Sequence, residues 1–294
     1  MGVMRRKTIG PIITIIALAV GVIALWYFVP GAAMDDEGIR NVNVNDGDMS
    51  AGGVNVEHAE HVTAAAPGSE LSFYDASRAD RYDAFAETRQ DLAFEDVVWM
   101  VNVDLDKESY EDVSVARDAE SLQVLVTKHF RLPDGFVPPN LVNIGQSMMR
   151  LEAAEAAQGM IDAAAAEGHR LWVQSGYRSF DLQARLYDQY SARDGAEGAD
   201  RYSARPGHSE HQTGLVADLN TITDAFGDTP EGKWVAANCW YFGFIVRYTT
   251  ENSDVTLYKT EPWHLRHIGK EAAAGMHDLG IASFEEYWAR YINR

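Results

Sequence analysis

Between Ser209 and Asp218 the chain reads Ser-Glu-His-Gln-Thr-Gly-Leu-Val-Ala-Asp, and from Glu261 to His264 it reads Glu-Pro-Trp-His. The two segments supply two imidazoles, a carboxylate and a separate glutamate. A catalytic zinc site asks for that set: three protein ligands, an open position for water and a base beside it. His211 and Asp218 would be two ligands and His264 the third. A His-x6-Asp spacing alone is weak, because a loop histidine beside a carboxylate is common. The third histidine, with Glu261 close to it, strengthens the assignment. Glu261 could be a fourth ligand, or a base that takes a proton from water and passes it to a leaving amine. On a regular strand, residues three apart point to opposite faces. Glu261 and His264 can therefore share a site only if Glu261 lies at a bend before the strand. Pro262 favours this by holding Glu261 extended. His208 and His267 are the alternative ligands.

Other residues have the chemistry to hold a substrate. Arg178 follows Gly176-Tyr177 at an expected strand end, where a guanidinium could bind a carboxylate or polarise a scissile carbonyl. Gln183, five residues on, could share the same ligand. Ser209 could donate a hydrogen bond to a substrate carboxylate. Trp263 is either a wall of the cleft or core. For each, the plainer alternative is a surface ion pair, loop chemistry or packing. The single cysteine, Cys239, excludes an intramolecular disulfide and any CxxC motif. Its place in an expected helix with Trp234 and Tyr241 reads as inert core.

Elements that could position these residues are legible in the pattern. Leu151, Ala154, Ala157, Ile161 and Ala164 recur at helical spacing, with Gly168 as a stop. Leu171-Trp-Val reads as a strand ending in Ser175-Gly-Tyr-Arg-Ser. Ser179 could cap a helix carrying Leu182, Leu186 and Tyr190. Gly214 to Asn220 alternates like a strand, and Gly214 would let the chain turn back so that His211 and Asp218 reach one point. A helix is expected from about Pro230 to Phe242, ended by Gly243. Strands follow at Phe244-Ile-Val-Arg-Tyr and Trp263-His-Leu-Arg-His-Ile, then helices at Ala272–His277 and Phe284–Ile292. Further upstream, Val97-Val-Trp-Met-Val-Asn-Val reads as an apolar strand, and Leu122–Val126 as another short apolar run. The mixture, without strict βαβ alternation, points to an α+β domain with helices flanking a mainly antiparallel sheet.

The N-terminus carries a different message. Arg5, Arg6 and Lys7 precede an uncharged run from about Ile9 to Val29, long enough to span a bilayer as a helix. The positive flank would keep the N-terminus cytoplasmic and place the rest outside. The rival is a cleaved signal peptide, with Gly31-Ala32-Ala33 as small residues and a secreted product. The run is long for a signal segment, which favours a single-pass anchor. Residues 34–95 carry 14 acidic and four basic side chains, net −10. Such a stretch reads as a tether, although a short helix is compatible with 76–93. The domain would then be 96–294. The chain of 294 residues has a net charge of −19, which makes nucleic acid a poor partner.

Four segments together resemble a known family. Ser175-Gly-Tyr-Arg-Ser, Ser209-Glu-His-Gln-Thr-Gly with Asp218, Gly243-Phe-x-x-Arg-Tyr and Glu261-Pro-Trp-His-x-Arg look like the VanY-type D-alanyl-D-alanine carboxypeptidases. These zinc peptidases of peptidoglycan share a fold with the sonic hedgehog domain. The resemblance runs from about Leu122 to Ile268, in the family's motif order. It implies one zinc ion held by His211, Asp218 and His264, with Glu261 as the catalytic base. It implies that Arg178 stabilises the oxyanion or holds substrate, and that Gln183 and Ser209 bind the terminal carboxylate. Val216 stands where Ala is common, and His267 where an aromatic is common; neither is a ligand position. The reaction implied is attack of a zinc-bound hydroxide on the last peptide bond of a stem peptide, releasing D-alanine. With the N-terminal run, the enzyme is expected at the cell membrane, and as a monomer. An L,D-carboxypeptidase or a wall endopeptidase is the near rival. A non-catalytic, zinc-containing wall-binding module is the rival of another class, and Glu261 speaks against it, since binding needs no base.

Overall fold

The computed structural model describes residues 68–293. The apolar run at 9–29 and the segment 34–67 lie outside the described residues. Among the described residues no helix is long and apolar enough to cross a membrane.

An antiparallel sheet of four strands organises the molecule. In sheet order the strands are β5 (Val173–Ser175), β6 (Val216–Leu219), β8 (Glu261–His267) and β7 (Phe244–Tyr248). Alternation gives this sheet two different faces. Ala217 and Leu219 of β6 and Leu265 of β8 join the main core. Asp218, His264 and Arg266 fall on the other face. The core is closed by α3 (Leu151–Ala166), whose buried stripe is Ala153, Ala154, Ala157, Met160 and Ala164. Earlier in the chain β1 (Ser114–Val115) and β2 (Phe130–Arg131) form a short parallel pair. A hairpin of β3 (Leu141–Ile144) and β4 (Ser147–Arg150) precedes α3, and α4 (Phe180–Asp194) follows β5. The four alanines of the α3 stripe let that helix pack tightly into the main core, beside the β3–β4 strands. Ser179 caps α4, its hydroxyl accepting from the Leu182 amide. α5 (Ala196–Asp200) comes next in the chain. α6 (Pro230–Asn238) begins with Pro230 behind a Thr229 cap and runs through a 3-10 turn into Gly243, whose φ of +83° stops it. α7 (Ser253–Thr256), α8 (Lys270–Leu279) and α9 (Phe284–Tyr287) complete the C-terminal part. The architecture is the expected α+β.

Upstream the sequence reading needs correction. Val97 to Val103 is not a strand: α2 (Phe94–Asn102) occupies it, after α1 (Ala79–Thr88). Val97, Val98 and Val101 are buried with Tyr82, and Leu71, Phe85, Leu92 and Phe94 pack against them. The Tyr82 hydroxyl donates to Asn102 Oδ1 at 2.7 Å. Folded structure therefore begins before the boundary expected at residue 96, because α2 runs across it. An apolar run buried on most sides loses the polar positions that would reveal helical period.

Candidate functional site

The β6–β8 ladder sets Asp218 directly opposite His264. His211 comes to the same point from a 3-10 turn, Glu210–Thr213. Gly214 ends that turn with φ +70°, and a Cβ there would press on Arg150 and Leu141. His211 Nε2 lies 3.3 Å from Asp218 Oδ2, and His264 Nδ1 lies 3.3 Å from Asp218 Oδ1. The two imidazole planes stand nearly perpendicular, at 88°. One donor atom from each residue falls within 4.8 Å of the others, and all three residues are buried.

This donor set fits a metal ion. His211 Nδ1 faces the Gly176 carbonyl at 2.6 Å, which leaves Nε2 bare toward the cluster. Asp218 Oδ1 is buried, and apart from the 3.3 Å approach of His264 Nδ1, which is not aligned as a hydrogen bond, it has no partner; a cation would supply what is missing. Burial pushes the His211 imidazole down to about 3, and Arg178 adds to the shift, so it stays neutral as a ligand must. For His264 burial works downward as well, but Asp218, Glu210 and Glu261 outweigh it and raise it to about 9. Carboxylates that hold a proton so tightly also attract a divalent cation.

Glu261 reaches this cluster by a route the sequence reading did not foresee. It does not precede the strand; it opens β8, paired with Tyr248. The bend lies inside the ladder. Val246 pairs with Leu265 and Tyr248 with Glu261, so two steps on β7 oppose four on β8. This bulge re-aims the side chain, and Glu261 Oε2 sits 3.7 Å from His264 Nδ1. Burial raises the Glu261 carboxyl to about 7, with the Asp218 charge adding to it.

A cleft of about 600 Å³ opens over the cluster. Arg178, Ser209 and Trp263 line it with His211, Asp218, Glu261 and His264. Trp263 is both wall and core, joining the main apolar cluster while facing the cleft. Gln183 is placed differently from expectation. It is the buried residue of α4, where Leu182 is exposed instead. Its amide donates to Ala204 O at 2.7 Å, and its Oε1 accepts from Arg178 Nη1 at 2.9 Å. With both ends occupied, Gln183 holds Arg178 in position. His208 turns away, its Nδ1 against the Thr127 carbonyl, and His267 packs on Phe244. Cys239 is buried core, its thiol pushed up to about 12.

Glu210, for which the sequence suggests no role, lies behind His264. Its Oε2 lies 3.5 Å from His264 Nε2, on the side of the ring away from Asp218. Its Oε1 accepts from Arg247 Nε at 2.9 Å and Arg266 Nη1 at 3.0 Å. Arg247 also makes a two-pronged contact with Glu285. Burial alone would raise the Glu210 carboxyl, but the two guanidiniums hold it far below the usual range. An outer carboxylate of this kind fixes the tautomer of a ligand histidine and leaves Nδ1 free to bind. The available signal was that Glu210, Arg247 and Arg266 each fall inside one of the four family segments.

Comparison with known proteins agrees with this geometry. A family model described as VanY, D-alanyl-D-alanine carboxypeptidase, matches residues 146–270, a span that includes every residue of the cleft floor described above. The putative carboxypeptidase YodJ of Bacillus subtilis is 37% identical over 201 residues, 63% of this chain and 73% of that protein. Among solved structures, the LdcB LD-carboxypeptidase is similar at 37% identity and TM-score 0.58, covering 63% of this chain and 92% of that one. VanYB in complex with D-alanine-D-alanine is similar at 31% identity and TM-score 0.51, covering 57% and 98%. A peptidase by these relationships, the chain belongs to the VanY-type D-alanyl-D-alanine carboxypeptidase family.

Proposed function

We propose that this protein is a zinc-dependent carboxypeptidase that removes the terminal D-alanine from peptidoglycan stem peptides. The observation that carries the reading is Glu261, brought by the bulge to 3.7 Å from His264 beside the His211–Asp218–His264 cluster. A zinc ion held by those three residues would supply a Lewis acid and a water acidified toward neutral pH. Glu261, shifted toward neutrality, takes the proton of the attacking water and returns it to the departing amine. Arg178, steadied by Gln183, stands ready to hold the carbonyl oxygen as charge develops on it, or the terminal carboxylate. Ser209 offers a further hydrogen bond in the cleft, and Trp263 walls it. The described residues offer one such ligand group, and one chain supplies all of it, as a single-ion monomer requires.

A second reading, L,D-carboxypeptidase action, is favoured by the likeness to LdcB. Incubation with defined penta- and tetrapeptides, followed by mass analysis, separates the two. Release of D-alanine from the pentapeptide supports the first; release from the tetrapeptide alone supports the second; an internal dipeptide product overturns both. Glu261→Ala should keep stoichiometric zinc while turnover falls roughly 10²–10⁴-fold. Survival of turnover would sink the proposed base. From sequence alone we also infer a membrane-held enzyme facing outward, because Arg5-Arg6-Lys7 precedes the apolar run at 9–29.

A further inference from the structure

Three cations line the cleft, and they are committed differently. Arg178 lies at the floor, bonded to Gln183 and facing His211. Arg193 is spent on Asp194, 2.8 Å away, and on the Tyr202 hydroxyl. Lys259 is exposed at the mouth and has no ion-pair partner among the described residues. Its ammonium lies 5.7 Å from the Tyr202 ring centre. In a chain of net charge −19, an unpaired positive charge two residues from the catalytic base stands out.

The backbone that presents it is firmly held. The Lys259 amide donates to Arg201 O at 3.1 Å. Beneath, the buried Lys128 ammonium donates to Asp200 O at 2.8 Å and Leu257 O at 2.7 Å, tying the same two segments together. Leu257 sits at φ +61°, a backbone state that a leucine adopts only when its surroundings impose it. Lys259 and Glu261, two apart, both face the cleft.

We propose that Lys259 receives a carboxylate on the acyl side of the scissile bond, so that the enzyme prefers peptides whose acyl part carries a free acid over those carrying the amide. This rests on the carboxypeptidase reading. A carboxypeptidase takes the C-terminal end inward, toward Arg178 and Ser209, and the acyl chain leaves by the mouth, where Lys259 stands. The acid matches Lys259 in charge; the amide does not.

The test uses two peptides ending in the same D-residue and differing only by carboxylate or carboxamide on the acyl side. Released amino acid gives kcat/KM for each, and their ratio cancels any effect of the substitution on the shared chemistry. The wild type should favour the acid by roughly two- to fivefold, the range of an exposed ion pair. That preference should shrink as salt rises. Lys259→Met should bring the ratio to one, and Lys259→Glu should invert it. Equal rates on both peptides in the wild type, or a preference that survives in Lys259→Met, overturn the proposal while leaving the carboxypeptidase reading intact. Release from neither peptide overturns that reading and this proposal with it.

Discussion

Glu210→Gln tests the buried carboxylate behind His264. The substitution keeps the shape and removes the charge. In the native cluster two guanidiniums, Arg247 and Arg266, face two carboxylates, Glu210 and Glu285, and all four are at most 2% exposed. The neutral amide would leave one guanidinium without its counter-charge, and its nitrogen would present N–H to another donor. Breaking a buried pair this way costs about 3–5 kcal/mol. For a folded unit of this size that is a fall of roughly 6–20 °C in the unfolding midpoint. The same change removes the acceptor opposite His264 Nε2, 3.5 Å away. Loss of such an outer partner weakens metal binding about 10–100-fold. Thermal unfolding of metal-free protein reads the first effect, and competition with a chromophoric zinc chelator reads the second. Glu285→Gln is the control. It also breaks the cluster, but it leaves Glu210 with both its guanidiniums, Arg247 at 2.9 Å and Arg266 at 3.0 Å, and does not touch His264. It should lower the midpoint while weakening zinc far less. The reasoning fails if Glu210→Gln melts with the wild type, or if Glu285→Gln weakens zinc as much as Glu210→Gln does.

Gly176→Ala should be expensive, because its Cβ would lie 2.3 Å from the Met148 carbonyl oxygen, a backbone atom already bonded to Tyr177 N. Overpacking of this kind costs about 1–3 kcal/mol, and since the Gly176 carbonyl faces His211 Nδ1, zinc affinity should drop in the chelator assay too; wild-type values on both would refute the close approach. Deleting residues 1–95, compared with deleting residues 1–67 alone, removes Tyr82 and Phe94 from Val97, Val98 and Val101. Loss of one buried aromatic alone costs about 3–5 kcal/mol, so urea unfolding should show at least that fall, or aggregation through the uncovered face; equal midpoints would show that the early helices contribute nothing.

The parts of the fold legible in sequence were those where one signal dominates. Ser179 marks a helix start by its side-chain cap, Pro230 opens another helix, and Gly243 marks a stop by its left-handed backbone. β6 and β8 could be placed because chemistry-bearing residues alternate with apolar ones. α2 was misread because Val97, Val98 and Val101 are β-branched and buried, and its acidic first turn, Glu95 and Asp96, was the better clue. Gln183 lies on the buried side of α4 while Leu182 is exposed, and nothing local in the sequence shows that Ser203, Ala204 and Arg178 will meet it inside.

That His211, Asp218 and His264 could gather at one point was legible because metal chemistry restricts residue type, and the three do cluster. Their support was not, because a carboxylate in a loop is ordinary until its neighbours are known. Glu210 is useful to His264 only while ionised, and burial works against that. Arg247 at 2.9 Å and Arg266 at 3.0 Å reverse the balance. Those guanidiniums come from β7 and β8, so the same ladder that sets His264 opposite Asp218 also delivers the charge that keeps Glu210 anionic. The bulge in that ladder then brings Glu261 around to the open side of the same histidine. One imidazole thus has behind it, 3.5 Å away, a carboxylate that its guanidiniums keep ionised, and in front of it one raised toward neutrality. Two glutamates in one cluster acquire opposite roles from the groups around them, and residue type alone could not have told them apart.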